Sequence, residues 1–149
     1  MKLALGCDHG GYNYKEKLVE YLKKQGHEVI DYGCNSLDSC DYPDFALPAA
    51  EAVKDGKVDF GIVICSTGIG ISIAANKVKG VRCSHCHDVK SAALTRQHNN
   101  SNMLAFGALV ISEELMYQIV DAYLGAEFEG GRHQRRVDKI TAIEDKYFK

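Results

Sequence analysis

Short apolar runs bounded by turn residues recur along the chain: KLALGC at 2–7, HEVIDYG at 27–33, FGIVIC at 60–65, VRCSHC at 81–86 and MLAFG at 103–107. Runs of this length, closed off by polar and glycine residues, predict buried strands. Between them the spacing changes. Leu18, Val19 and Leu22 recur at helical intervals, as do Phe45, Ala46, Ala49, Ala50 and Val53, and then Ala92, Ala93 and Arg96; each set lies along one helix face. Strand and helix therefore alternate, which predicts right-handed βαβ crossovers and an α/β fold with a five-stranded parallel sheet between helices. A last helix is predicted to follow Gly130 and Gly131, over about 130–146. On it Arg132 and Arg136 share a face, with Arg135 adjoining.

In such sheets ligands collect at the carboxyl ends of strands and at the loops that follow. That rule singles out GCDHGGY after the first strand, CSTGIG after the third, and RQHNNSN at the end of the helix before the fifth.

Composition narrows the class. With 149 residues, 46% of them hydrophobic, the chain suits a single domain over 1–149, and it has only two prolines and no repeat or low-complexity tract to mark a boundary. A formal charge of −2 supplies no overall field for nucleic acid or anionic lipid, so an anion site must be local. A charged residue arrives too early for a signal peptide, and no apolar run approaches the roughly 20 residues that span a bilayer. A soluble cytoplasmic protein is expected, and its six cysteines are expected to be free thiols.

Cys65 stands where the third strand ends, and Ser66 to Gly70 make the turn into a helix expected from about Ile71. Free backbone N–H groups and the positive end of the helix dipole favour an anion there, and the same field favours a thiolate. A partly ionised thiol beside an anion hole suits proton abstraction next to a carbonyl. A small core cysteine with glycines that merely permit tight packing is the plainer alternative. A phosphatase would place an arginine six residues after the cysteine, where this chain has Ile71. A dinucleotide site would place its glycines after another strand, with an acidic residue about 20 positions on.

Asp8 and His9 could handle hydroxyls or a phosphate, although Asp8 could equally cap a helix. Tyr42, ahead of Pro43, could point a phenol into the same cleft or simply pack. His98 lies among amides, with no apolar periodicity to bury it, which suits an acid or base. Arg132, Arg136 and Arg135 could hold a phosphate through charge-assisted forks or form a solvated basic face. In CSHCHD, the residues Cys83, His85, Cys86 and His87 are all potential ligands, but a second pair at zinc spacing is missing and the C-x-x-C falls in a strand, so no metal or redox site is assigned. Cys7, Cys34 and Cys40 show no pairing pattern.

Taken together and in order, GCDHGGY, DYPDFA, ICSTGIGISIAANKVKGVR, TRQHNNSNMLAFG and EGGRHQRRV closely resemble the type B ribose-5-phosphate isomerase family, which also includes isomerases of galactose 6-phosphate and allose 6-phosphate. The resemblance covers almost the whole chain. It implies a Rossmann-like three-layer α/β/α sandwich, a homodimer or dimer of dimers, no metal or organic cofactor, and interconversion of an aldose phosphate with its ketose phosphate through a cis-enediolate. It implies that Cys65 is the base, that Thr67 and the amides of Ser66 to Gly70, Gly68 among them, stabilise the intermediate, and that Asp8 and His98 open the ring, with Asn99 beside them. His9, Arg132 and Arg136 match phosphate-binding positions, and Tyr42 lines the pocket. The family's sites are completed across the dimer interface, so the C-terminal helix is expected to reach the partner subunit. Many members carry an arginine near Leu109, which this chain lacks; phosphate affinity that is weaker or rests more on the C-terminal arginines is therefore expected, with tolerance of other or unphosphorylated sugars as a hypothesis. Members that lack the cysteine use a glutamate a few residues on, where this chain has Ser72 and Ala74. Ribose 5-phosphate is the expected substrate, with six-carbon aldose 6-phosphates or a non-catalytic sugar-phosphate or nucleotide binding module as alternatives.

Overall fold

Every predicted apolar run forms a strand in the computed structural model, which describes residues 1–149. In chain order the elements are β1 (Lys2–Cys7), a 3-10 turn (His9–Gly11), α1 (Tyr12–Lys24), β2 (Glu28–Asp31), α2 (Pro43–Lys54), β3 (Phe60–Cys65) and α3 (Ile69–Ala75). They continue with β4 (Cys83–His85), α4 (Val89–Asn99), β5 (Met103–Gly107), α5 (Glu113–Gly125) and α6 (Arg132–Tyr147). All strand pairs are parallel, in the order β2-β1-β3-β5-β4.

Because both faces are covered, the central strands read as continuous apolar runs, and alternate side chains feed two separate cores. Leu3, Leu5, Ile62, Ile64, Leu104 and Phe106 join Leu18 and Leu22 of α1 and Met116, Ile119, Val120 and Tyr123 of α5. On the other face Ala4, Val63, Cys65, Met103 and Ala105 meet Ala46, Ala49 and Ala50 of α2 and Ile71 and Ala75 of α3. The result is the three-layer sandwich expected, and each large aliphatic side chain so buried stabilises it by roughly 1.5–3 kcal/mol.

Four elements differ from expectation. β2 and β4, the two edge strands, are shorter than their apolar runs, since each has a ladder partner on one side only. α3 begins at Ile69 rather than Ile71, directly after Gly68, whose φ of +79° lets the chain turn sharply into the helix. α5, not anticipated, is capped by Ser112, whose side chain accepts a hydrogen bond from the Leu115 amide at 3.1 Å. Inside α1, Lys15 is fully buried, and its ammonium reaches Glu16 and Asp31 at 2.7 Å each. A buried charge is tolerable only with such partners, and the pairing ties α1 to β2.

Candidate active site

Cys65 is the last residue of β3 and lies 5% exposed on the face that packs against α2 and α3. Its sulfur accepts a hydrogen bond from the Gly68 amide at 3.1 Å, so the turn that follows folds back onto the thiol. Thr67, exposed at the crest, accepts from the Ile69 amide at 3.2 Å and thereby holds the turn from its own side chain. The turn also leans on the neighbouring strand end: Ala108 and Leu109 donate to the carbonyls of Cys65 and Ser66 at 2.9 and 3.0 Å.

The end of β1 closes against this turn. Asp8 is buried, and its Oδ1 accepts from the amides of Gly10 and Gly11 at 2.9 and 3.3 Å, so it caps the 3-10 turn and has Oδ2 free of hydrogen bonds within the chain. Ser66 abuts Gly10, where an added Cβ would collide with its hydroxyl. His9 accepts from the Cys40 amide through Nδ1 at 3.2 Å, which leaves Nε2 as the N–H of the neutral ring, a donor suited to an anion. The Tyr42 ring covers Gly70, with its Cζ 2.7 Å from where a Cβ would stand. Asp8, His9, Tyr42, Cys65, Ser66, Thr67, Gly68 and Gly70 thus form one cluster at the carboxyl edge of the sheet.

The other expected site residues lie elsewhere. α4 runs antiparallel to the strands, starting beside His87 at the carboxyl edge and ending at Asn99, whose carbonyl accepts from Arg82 at the amino edge. Eleven residues at about 1.5 Å each carry His98 and Asn99 roughly 16 Å from the level of Cys65. There the His98 ring stacks on His133 of α6, with centroids 4.2 Å apart and planes at 11°. Glu129 sits 3.7 Å from His98 Nε2 and 3.6 Å from His133 Nε2. Burial, His98 and the Arg132 guanidinium push His133 below the ordinary imidazole range. Arg132 and Arg136 project from α6, exposed and in no ion pair within the chain. No hydrogen bond links this second cluster to the Cys65 turn.

His98, Glu129 and His133 also have ligand atoms within 4.8 Å of one another, a spacing that could hold a metal ion. Cys83 and Cys86 do not form such a set: Cys83 points into the α2–α3 core and Cys86 into the opposite one. Glu129 and His133 are not singled out in the sequence, although their i,i+4 spacing across the glycine pair was the available signal. Cys7, Cys34 and Cys40, without a sequence pattern, converge beside His9, with Cys7 and Cys34 sulfurs 3.9 Å apart and Cys40 Sγ 3.9 Å from His9 Nδ1. All six cysteines are free thiols. No helix is long and apolar enough to cross a membrane.

Fold and site together define a parallel α/β protein with a thiol, a buried carboxylate and a glycine turn gathered at the strand ends. The chain belongs to the ribose/galactose isomerase family, whose model matches residues 3–140. It is 54% identical over 145 residues to ribose-5-phosphate isomerase B of Escherichia coli strain K12, covering 97% of each chain. It superposes on a ribose-5-phosphate isomerase B from Clostridium thermocellum with a TM-score of 0.98 at 55% identity, covering 99% of both chains. A second structure, ribose-5-phosphate isomerase B of Mycoplasma genitalium with bound ribulose 5-phosphate, matches with a TM-score of 0.93 at 44% identity over 97% of each chain.

Proposed function

We propose that this chain interconverts D-ribose 5-phosphate and D-ribulose 5-phosphate through a cis-enediolate, with Cys65 as the base that moves the proton. Family membership and the relatives named above support the reaction. The observation that carries the chemistry is the Gly68 N–H directed at the Cys65 sulfur from the glycine turn at a strand end. A thiolate is stabilised by such a donor, and the same turn faces the place where charge develops. The thiolate takes the proton from C2 of the open-chain aldose while the C1 carbonyl becomes the enediolate oxygen. Returning the proton to C1 and passing that of the C2 hydroxyl to the C1 oxygen leaves the ketose. The unpartnered Oδ2 of Asp8 accepts from a sugar hydroxyl, and the His9 N–H meets the phosphate. Leu109, 82% exposed beside the turn, supplies no cation, so phosphate binding falls to His9, Arg132 and Arg136.

His98 and the arginines reach the reacting sugar only if another copy of the chain brings its amino edge to this carboxyl edge. Exposed Ile69, Ile73, Leu109 and Val110 surround the Cys65 turn, and exposed Ile140 and Ile143 lie on α6; such apolar surface suits burial between subunits. The functional unit is accordingly a homodimer with shared sites.

The test is ketose phosphate formation from ribose 5-phosphate and from allose 6-phosphate, in the presence of a chelator, by wild type, Cys65→Ala and Cys65→Ser. Loss of at least about a hundredfold in kcat with the fold intact is expected of both variants. A Cys65→Ser enzyme that keeps most of its activity removes Cys65 as the base. Wild type without turnover on any aldose phosphate makes the chain a binding module.

A further inference from the structure

The CSHCHD segment is left without a role by the reaction as derived, yet His85 touches the catalytic turn and His87 lies against His85 and the neighbouring strand end. His87 Nε2 lies 3.1 Å from the Gly107 amide, and His85 Nε2 lies 3.1 Å from His87 Nε2 and 2.9 Å from the Thr67 carbonyl. Two backbone groups with a single role each fix which way the hydrogens point at the two Nε2 atoms. The Gly107 amide can only donate, so His87 Nε2 carries the lone pair and the ring is neutral with its proton on Nδ1. The Thr67 carbonyl can only accept, so His85 Nε2 carries a hydrogen, shared between that carbonyl and the His87 lone pair. Burial and the facing His85 push His87 below the ordinary imidazole range, against the pull of Asp88, the carboxylate beside it at the start of α4. This agrees with a neutral ring.

The Thr67 carbonyl and the Gly68 amide are the two ends of one peptide unit. Its oxygen is held by His85, and its N–H is donated to Cys65 Sγ at 3.1 Å. A planar peptide held at one end is oriented at the other. The fit around it is close: a Cβ on Gly68 would stand 2.9 Å from His85 Nε2 and 2.6 Å from the Phe106 carbonyl carbon, and one on Gly107 would strike the Thr67 backbone. Polarising the carbonyl also strengthens the amide as a donor, since linked hydrogen bonds reinforce one another.

We propose that His85, backed by His87, is a positioning residue for the base, aiming the Gly68 N–H at Cys65 through the Thr67–Gly68 peptide. It touches neither substrate nor sulfur. The inference rests on Cys65 being the base, and its test separates the two ideas.

The experiment follows the Cys65 thiol by NMR in enzyme labelled with 13Cβ-cysteine, its resonance assigned by its loss in Cys65→Ser, alongside kcat and KM for ribose 5-phosphate. His85→Ala is expected to raise the Cys65 titration midpoint by about half to one pH unit, as a weakened hydrogen bond to the charged form should. It should lower kcat roughly three- to tenfold with KM within about twofold, because what is lost is help to the charged base rather than substrate contact. His85→Gln, which restores a side-chain N–H near the carbonyl, should recover most of both, whereas a purely space-filling role predicts no such rescue. An unchanged midpoint in folded His85→Ala overturns the coupling. A raised midpoint with unchanged turnover upholds the hydrogen-bond link, but overturns His85's role in catalysis together with the assignment of Cys65 as base.

Discussion

Gly68 holds two requirements at once, a left-handed backbone at φ +79° and contact with the backbone of Phe106 at the end of β5. Alanine there meets a conformational penalty and a collision with atoms that cannot rotate away. Gly68→Ala is expected to destabilise the protein by roughly 2–4 kcal/mol in a denaturant titration, and to lose activity beyond what unfolding explains, because the Cys65 hydrogen bond is displaced. A loss under about 0.5 kcal/mol, within the range of a neutral surface change, would mean that the turn can move as a unit. At this scale the sequence was legible where chemistry and backbone demand coincide. Cys65 next to S-T-G-I-G carries both signals in six letters. His85 and Glu129 were not legible, since their roles come from partners 18 and 31 residues away, His85 on Thr67 and Glu129 on His98.

At the scale of elements, periodicity located every strand but misjudged the edges, because an apolar run reports burial and not the number of ladder partners. α5 carries one of the clearest helical patterns in the chain, with Met116, Ile119, Val120 and Tyr123 buried on one face and a serine cap ahead of two glutamates. A reading keyed to strand–helix alternation stops at the fifth strand and passes over it. The cap offers a clean measure of what local signals contribute. Ser112→Ala removes the acceptor for the Leu115 amide and is expected to cost about 1 kcal/mol of stability, read from the midpoint of chemical unfolding. kcat and KM should not change at temperatures well below melting, since α5 packs on the core and donates nothing to the Cys65 turn. Altered turnover would show that α5 reaches the site.

At the scale of the whole molecule, the sheet separates the proposed machinery. A helix that crosses from one strand to the next parallel strand must run back along the sheet, so residues at its carboxyl end finish at the edge opposite the strand ends. His98 is such a residue and Cys65 is at a strand end. Sequence order alone gathered RQHNNSN with the loops after the first and third strands; topology moves it to the far edge, so a site that uses both His98 and Cys65 requires a second copy. This makes subunit sharing measurable without a complex structure. Cys65→Ala and His98→Ala enzymes, each inactive alone, are unfolded, mixed in equal amounts and refolded. Half of the dimers then contain one chain of each kind, and in those dimers one site receives intact Cys65 from one chain and intact His98 from the other. About a quarter of wild-type activity is the expected recovery for a shared site in a two-fold dimer. If each chain built its own site, every site in the mixture would lack one group, and activity would stay at the level of the separate variants. Recovery near a quarter therefore requires that the two edges meet between subunits, and its absence in a mixture shown to contain hybrid dimers returns the search for the ring-opening group to residues around Asp8.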